Sequence, residues 1–203
     1  GSSVYSEEHT TTVLNIDIGG GTSNYAVFRN GRIIDSCCLN VGGRLIQTDR
    51  NGKVTKITEP VKKILKSIIP NFHEDYDSLS LNDIKSICDV MADLIIECIE
   101  GNNVSPLANE LLQTNPLKQQ YTFSAVFLSG GVGECYYKLD EMAKDRFQFS
   151  DIGVLLAEAL MKNNKLRKFN VIEPNQTIRA TVIGAGAYTL SLSGSTIWLT
   201  AEN

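Results

Sequence analysis

Short apolar runs broken by turn residues fill roughly the first 60 positions; a longer helical period follows, and a strand pattern returns near residue 122. Val13–Ile18 and Ser23–Arg29 are two such runs joined by Gly19-Gly20-Gly21-Thr22. Asn30-Gly31 is a two-residue hairpin signal leading into Arg32–Leu39, so three consecutive antiparallel strands are expected. Arg44–Thr48 and Lys53–Ile57 flank Asn51-Gly52 and predict a second hairpin, with Asn40-Val41-Gly42-Gly43-Arg44 as a Gly-rich turn ahead of it. The character changes at Glu59-Pro60. Proline suits the first helical turn, and Val61, Ile64, Leu65 and Ile68 carry helical spacing up to Pro70. Asn71–Ser80 is polar and expected as a loop, with Ser80 or Asn82 capping a longer helix. Ile84, Ile87, Cys88, Met91, Leu94, Ile95, Cys98 and Ile99 mark one face of that helix, and Gly101 ends it. Ser105–Leu112, with Pro106 in its first turn, predicts a further helix. The segment from about residue 60 to residue 114 is therefore expected to be helical.

Thr122–Leu128 reads as a buried strand running into Ser129-Gly130-Gly131-Val132-Gly133 at a helix start. Near the end, Ala180, Gly184 and Ala187 lie at helical spacing within Ile178–Thr189. Glycines there cost roughly 1 kcal/mol each relative to alanine, which close packing of another backbone would explain. Together these elements predict an α/β fold whose mixed sheet starts with three antiparallel strands and is flanked by helices.

Composition narrows the class. With 42% hydrophobic residues in 203 there is ample material for a core, and a net charge of −4 argues against nucleic acid or an anionic membrane as the main partner. No apolar run approaches the roughly 18 residues of a membrane span, and no signal peptide is evident. Five cysteines, odd in number and including the adjacent pair Cys37-Cys38, make a poor disulfide framework and fit a cytosolic protein. Cys88 and Cys98 sit among apolar residues as small hydrophobes. Two histidines, His9 and His73, and no Cys-x-x-Cys argue against a structural zinc. Gly1-Ser2-Ser3 reads as a cloning remnant and is set aside.

The candidate chemistry lies in the glycine turns. A strand ending in Asp17 and three glycines, then returning as a strand, presents bare backbone. Glycines admit positive φ and close approach of a ligand, and successive N–H groups in such a turn bind anions, phosphate above all. Asp17 and Thr22 bracket the concavity, and Asp17 is placed to hold a water-shelled Mg²⁺. Gly19, Gly20, Gly21 and Thr22 are the phosphate-loop candidates. Ser129, Gly130, Gly131 and Val132 form a second site-like feature, because ligands of open α/β sheets bind beyond the carboxyl ends of strands. Asp49 and Glu173 are read as solvated carboxylates rather than site residues.

Taken together, strand–Asp17-x-Gly-Gly-Gly-Thr–strand, strand–Ser129-Gly-Gly–helix and the small-residue helix resemble the second lobe of the actin, sugar kinase and heat-shock-chaperone superfamily, a ribonuclease H-like fold. Asn15–Phe28, Asn40–Leu45 with Thr48-Asp49, and Ser193–Trp198 resemble, more narrowly, the EutA family of ethanolamine ammonia-lyase reactivating proteins. The resemblance implies an actin-like lobe over 11–203 that binds ATP and Mg²⁺. Its phosphates would lie on Gly19–Thr22 and its adenosine on Gly130, Gly131 and Val132, with Asp17 as the catalytic and metal-orienting carboxylate. It also implies a cytoplasmic, chaperone-like ATPase, associated with an ethanolamine-utilisation microcompartment, that exchanges damaged cobalamin in ethanolamine ammonia-lyase for intact adenosylcobalamin. Two departures stand out. Asn24 occupies a position that is usually acidic in the superfamily, and no second Asp-x-Gly-x-Gly-Thr is present. A first lobe is thus expected to be missing from a truncated chain, with ATPase activity belonging to the full-length protein. The alternatives are a sugar or carboxylic acid kinase of the same superfamily and a non-catalytic interaction lobe.

Overall fold

In the computed structural model, residues 1–69, 76, 79–101 and 103–174 are described. Four strands form the main sheet, Arg32–Leu39 (β3), Ser23–Arg29 (β2), Thr12–Ile18 (β1) and Ala125–Ser129 (β6) in that order across it. β1, β2 and β3 run antiparallel in succession, and β6 lies parallel to β1. Asn30 and Gly31 both take positive φ, 50° and 76°, as a tight twisted hairpin between β2 and β3 requires. The sequence spacing placed β6 from Thr122, but pairing with β1 begins only where Ala125 meets Val13.

The second hairpin differs from the Asn51-Gly52 expectation. β4 (Ile46–Thr48) and β5 (Val54–Ile57) pair last at Thr48 and Val54, leaving residues 49–53 as a five-residue loop where the expected strands bound a four-residue one. Asp49 decides this, because its Oδ1 accepts the N–H groups of Asn51 at 2.8 Å and Lys53 at 2.9 Å. A short Asp side chain that caps its own loop competes with the tight turn.

Alternation along β1 divides its residues between the two faces of the sheet. Leu14, Ile16 and Ile18 face the main core, which takes in Val61, Ile64 and Leu65 of α2 (Glu59–Ile68) and the apolar stripe of α3 (Leu81–Glu97). α4 (Pro106–Leu111), α5 (Gly130–Tyr137) and α6 (Leu139–Met142) follow, and α7 (Gly153–Lys162) packs against α3, α5 and α6. α7 is buried from Gly153 through Leu160, so it shows no amphipathic period to read in the sequence. Tyr25 ties the sheet to α3, its hydroxyl donating to the Ile95 carbonyl at 2.8 Å.

On the opposite face, Val13, Phe28, Ala125 and Phe127 form a smaller core with Tyr5 of α1 (Ser2–Glu8). Ser2 and Ser3, set aside in the sequence reading, take part in this packing. The Ser2 hydroxyl donates to Asn15 Oδ1 at 3.2 Å, and the Ser3 hydroxyl donates to the Gly31 carbonyl at 2.7 Å. No helix among the described residues is long and apolar enough to cross a membrane. The small-residue run Ile178–Thr189 and Ser193–Trp198 lie outside the described residues, as does most of Asn71–Ser80.

Candidate functional site

The turn between β1 and β2 is closed by one bond, Gly19 N–H to Thr22 carbonyl at 2.9 Å. None of Gly19, Gly20 and Gly21 has positive φ, so backbone freedom is not what the glycines supply here. They supply clearance. A Cβ on Gly21 would meet nothing within 4 Å, and one on Gly20 would meet the Arg44 Cβ at 3.2 Å. The N–H groups of Gly20 and Gly21 have no partner among the described residues. The carbonyls of Gly19 and Gly20, by contrast, are taken by the N–H groups of Gly43 at 2.9 Å and Arg44 at 2.6 Å. The turn is thus anchored through its acceptors and open through its donors, the polarity an anion site needs.

Gly42 makes that anchoring possible. A Cβ there would lie 2.7 Å from the Gly19 carbonyl oxygen and from the carbonyl carbon and oxygen of Gly20. Gly43 plays the matching part on the other side, 2.8 Å for a Cβ from Gly153 Cα and from a Val132 methyl. Ser23 fastens the same junction, its hydroxyl donating to the Val41 carbonyl at 2.8 Å in a fully buried position.

Asp17 and Ser129 are register partners on β1 and β6, and Asp17 faces Asn24 on β2. Asn15, two residues earlier on the same face, donates to the Ser129 hydroxyl at 3.1 Å. Gly130 then turns the chain into α5 with φ +78°, where a Cβ would fall 2.5 Å from both Asp17 Oδ1 and the Ile18 carbonyl. Both its conformation and its space demand glycine. The Asp17 carboxylate forms no hydrogen bond or ion pair among the described residues, and burial raises its pKa above the usual aspartate value. Such an uncompensated carboxylate suits a cation or its waters. Asn24 donates to the Thr22 hydroxyl at 3.3 Å, so it braces the turn. α5 starts without a side-chain cap, which leaves its first-turn N–H groups available.

A cavity of about 360 Å³ joins the two motifs. Gly19 and Gly20 line one part of it, Gly131 and Val132 another. Asp17, Gly21, Thr22, Ser129 and Gly130 are not in its lining; they stand beside it at the ends of β1 and β6. Several lining residues carried no functional expectation from the sequence. Met142 and Phe149 give an apolar wall, with the Phe149 side chain 48% exposed. Asp151 is raised in pKa by burial, opposed by the Gly153 N–H and the Arg44 charge. Arg44 enters the sequence analysis through a glycine turn, a strand start and the family resemblance, with no site role. The segment carrying Phe149 and Asp151 is held by long-range bonds, Thr48 N–H to Ser150 carbonyl at 3.0 Å and Ile152 N–H to Gly43 carbonyl at 3.1 Å. No local spacing could have exposed them. Asp49 is spent in its own loop and Glu173 is exposed away from the lining.

Comparisons with known proteins agree with the narrower resemblance. The family model described as ethanolamine utilisation protein EutA matches residues 1–203. Proteins named ethanolamine ammonia-lyase reactivase EutA from Salmonella typhimurium and from Escherichia coli are each 50% identical over 199 residues. Those alignments cover 98% of this chain and 42% of each relative, so the chain spans less than half the length of the curated relatives it matches. A solved Ppx/GppA phosphatase from Aquifex aeolicus aligns with TM-score 0.43 and 12% identity, over 91% of this chain and 60% of that one. The chain belongs to the EutA family of ethanolamine utilisation proteins.

Proposed function

We propose that this chain is the second, nucleotide-holding lobe of an actin-like, ATP-dependent reactivating factor for ethanolamine ammonia-lyase. The observation that carries the reading is the cavity into which Gly19, Gly20, Gly131 and Val132 all open, at the ends of adjacent parallel strands. Family membership, and the reactivase names borne by the two half-identical relatives, supply the client.

The residues present fit a nucleotide with its metal. The unpartnered N–H groups of Gly20 and Gly21 would hold phosphate oxygens. Gly131, where an added Cβ would meet nothing within 4 Å, leaves room for a flat base beside Val132 and the Met142–Phe149 wall. Asp17 would orient Mg²⁺ or its waters, and a cavity of about 360 Å³ lies in the size range of small-molecule sites. ATP with Mg²⁺ supplies a phosphoryl group whose loss releases contacts that hold two lobes together. Phosphoryl transfer is largely positioning plus charge stabilisation. A lobe that holds phosphate without the facing lobe therefore keeps little of the rate. In the full-length protein the cycle of closure and release would drive exchange of damaged cobalamin for adenosylcobalamin in the lyase. The protein would act in the cytoplasm, with its ethanolamine-utilisation microcompartment.

Calorimetric titration of the full-length protein with Mg-ATP, for the parent and Gly20→Val, tests the site. Gly20 is exposed and has no positive φ, and an added Cβ would lie 3.2 Å from the Arg44 Cβ, a tight contact rather than a clash, so the fold should survive. Binding lost in the variant, with an unchanged unfolding midpoint, supports the assignment and leads to a lyase reactivation assay. Equal binding by both removes the loop from the site. A parent that binds no nucleotide overturns the reading in favour of a non-catalytic interaction lobe.

A further inference from the structure

Among the described residues, three charged ones line the cavity: Arg44, Glu134 and Asp151. Glu134 is paired with Lys138, the residue just past the end of α5, at 2.8 Å. The Asp151 carboxylate accepts the Gly153 N–H at 2.9 Å. Arg44 is exposed, and its guanidinium makes no hydrogen bond among the described residues. Among the described lining residues it is the cation beside two carboxylates, an arrangement that repels a polyanion unless the arginine answers it.

Its position is set by the phosphate-loop turn itself. The Arg44 N–H donates to the Gly20 carbonyl at 2.6 Å, and its Cβ and Cδ lie 3.2 and 3.8 Å from where a Gly20 Cβ would stand. The stem therefore runs over the turn whose Gly20 and Gly21 N–H groups are unpartnered. Gly43, the preceding residue, is wedged against Gly153 and Val132, so the backbone under the arginine has little room to move. A guanidinium on a fixed root, beside open backbone donors, matches the forked geometry of phosphate recognition.

We propose that Arg44 pairs with the ligand's phosphate charge in this cavity, making the site selective for phosphorylated nucleotides over the bare nucleoside. The inference rests on the nucleotide reading above.

The test is calorimetric titration of the full-length protein with ADP and with adenosine, for the parent, Arg44→Met and Arg44→Lys. A hydrogen bond to a charged group corresponds to roughly a tenfold or larger change in affinity. Arg44→Met should weaken ADP by that factor and leave adenosine unchanged, with Arg44→Lys in between because it keeps the charge and loses the fork. Equal weakening of both ligands would make Arg44 a packing contact and overturn the proposal. Unchanged ADP binding in Arg44→Met would overturn it as well. If the parent binds neither ligand, the nucleotide reading itself has failed and the proposal falls with it. Unfolding midpoints matching the parent show that the variants are folded.

Discussion

Gly42 and Gly131 carry opposite duties although the residue type is the same. A Cβ on Gly42 would collide with the backbone of Gly19 and Gly20 at 2.7 Å, whereas one on Gly131 would enter open space. Gly42→Ala should therefore destabilise the fold by about 1–3 kcal/mol, the usual scale of overpacking, while Gly131→Ala should leave stability near the parent's. Denaturant titration of both variants reads the difference, and equal losses would contradict it. Asp17 carries a different tension. Burial raises its folded pKa above 3.8, so between that value and the raised one the folded state holds the extra proton and stability falls as pH rises. At neutral pH the ionised carboxylate is a net cost, and Asp17→Asn should unfold at higher denaturant than the parent. Below pH 3.8 both states are protonated, and the advantage should vanish. A variant less stable than the parent at pH 7 would show that Asp17 has a charge partner in the fold. A residue kept at a stability cost is what a ligand-holding position looks like.

Elements begin and end where local chemistry tells them to. α3 starts with a reciprocal box, the Asp83 N–H donating to Ser80 Oγ at 3.2 Å and the Ser80 N–H donating to Asp83 Oδ2 at 2.8 Å. That pattern, Ser followed three residues later by an acid before an apolar run, was legible in the sequence as one of two candidate caps. Ser80→Ala should cost about 1 kcal/mol, measured by thermal or chemical unfolding, with Asn82→Ala nearly silent by comparison. α4 uses the serine half of that device alone, Ser105 Oγ accepting from Ala108 N–H at 3.2 Å. The β4–β5 loop shows the limit of such reading. Asn51-Gly52 has hairpin chemistry and the hairpin forms, but its loop is set by the Asp49 side chain two residues earlier, which accepts the N–H groups of Asn51 and Lys53. α7 gave no signal, since burial along most of its length removes the polar face that makes helical period visible.

At the scale of the whole molecule, the cavity's outer wall is fastened by an ion pair far from the glycine turns. Arg146 Nε donates to Glu158 Oε1 at 2.5 Å, tying the segment before Phe149 and Asp151 to the middle of α7. The glutamate side chain is 10% exposed and the arginine 41%, so the pair is buried on one side only. Arg146→Met strands the carboxylate and should cost about 1–3 kcal/mol, less than a fully enclosed pair. The double variant Arg146→Met/Glu158→Leu should recover most of that loss, because two apolar partners need no compensation. Hydrogen exchange across 143–151 should quicken in the single variant; unchanged exchange would mean that the wall is held by the backbone bonds to Thr48 and Gly43 alone. The amino-acid sequence by itself determined what short range governs. It set the strands β1 to β3, the α3 stripe and cap, and the two glycine motifs at strand ends, because alternation, helical period and turn chemistry act over a few neighbouring residues. Tertiary structure alone decided what long range governs. It placed Arg44 over Gly20, brought Phe149 and Asp151 into the lining, made Gly42 obligatory and put Ser2 against Asn15. Each of those depends on backbones or side chains that meet only after the sheet has formed, and no local spacing along the chain encodes a contact made by folding.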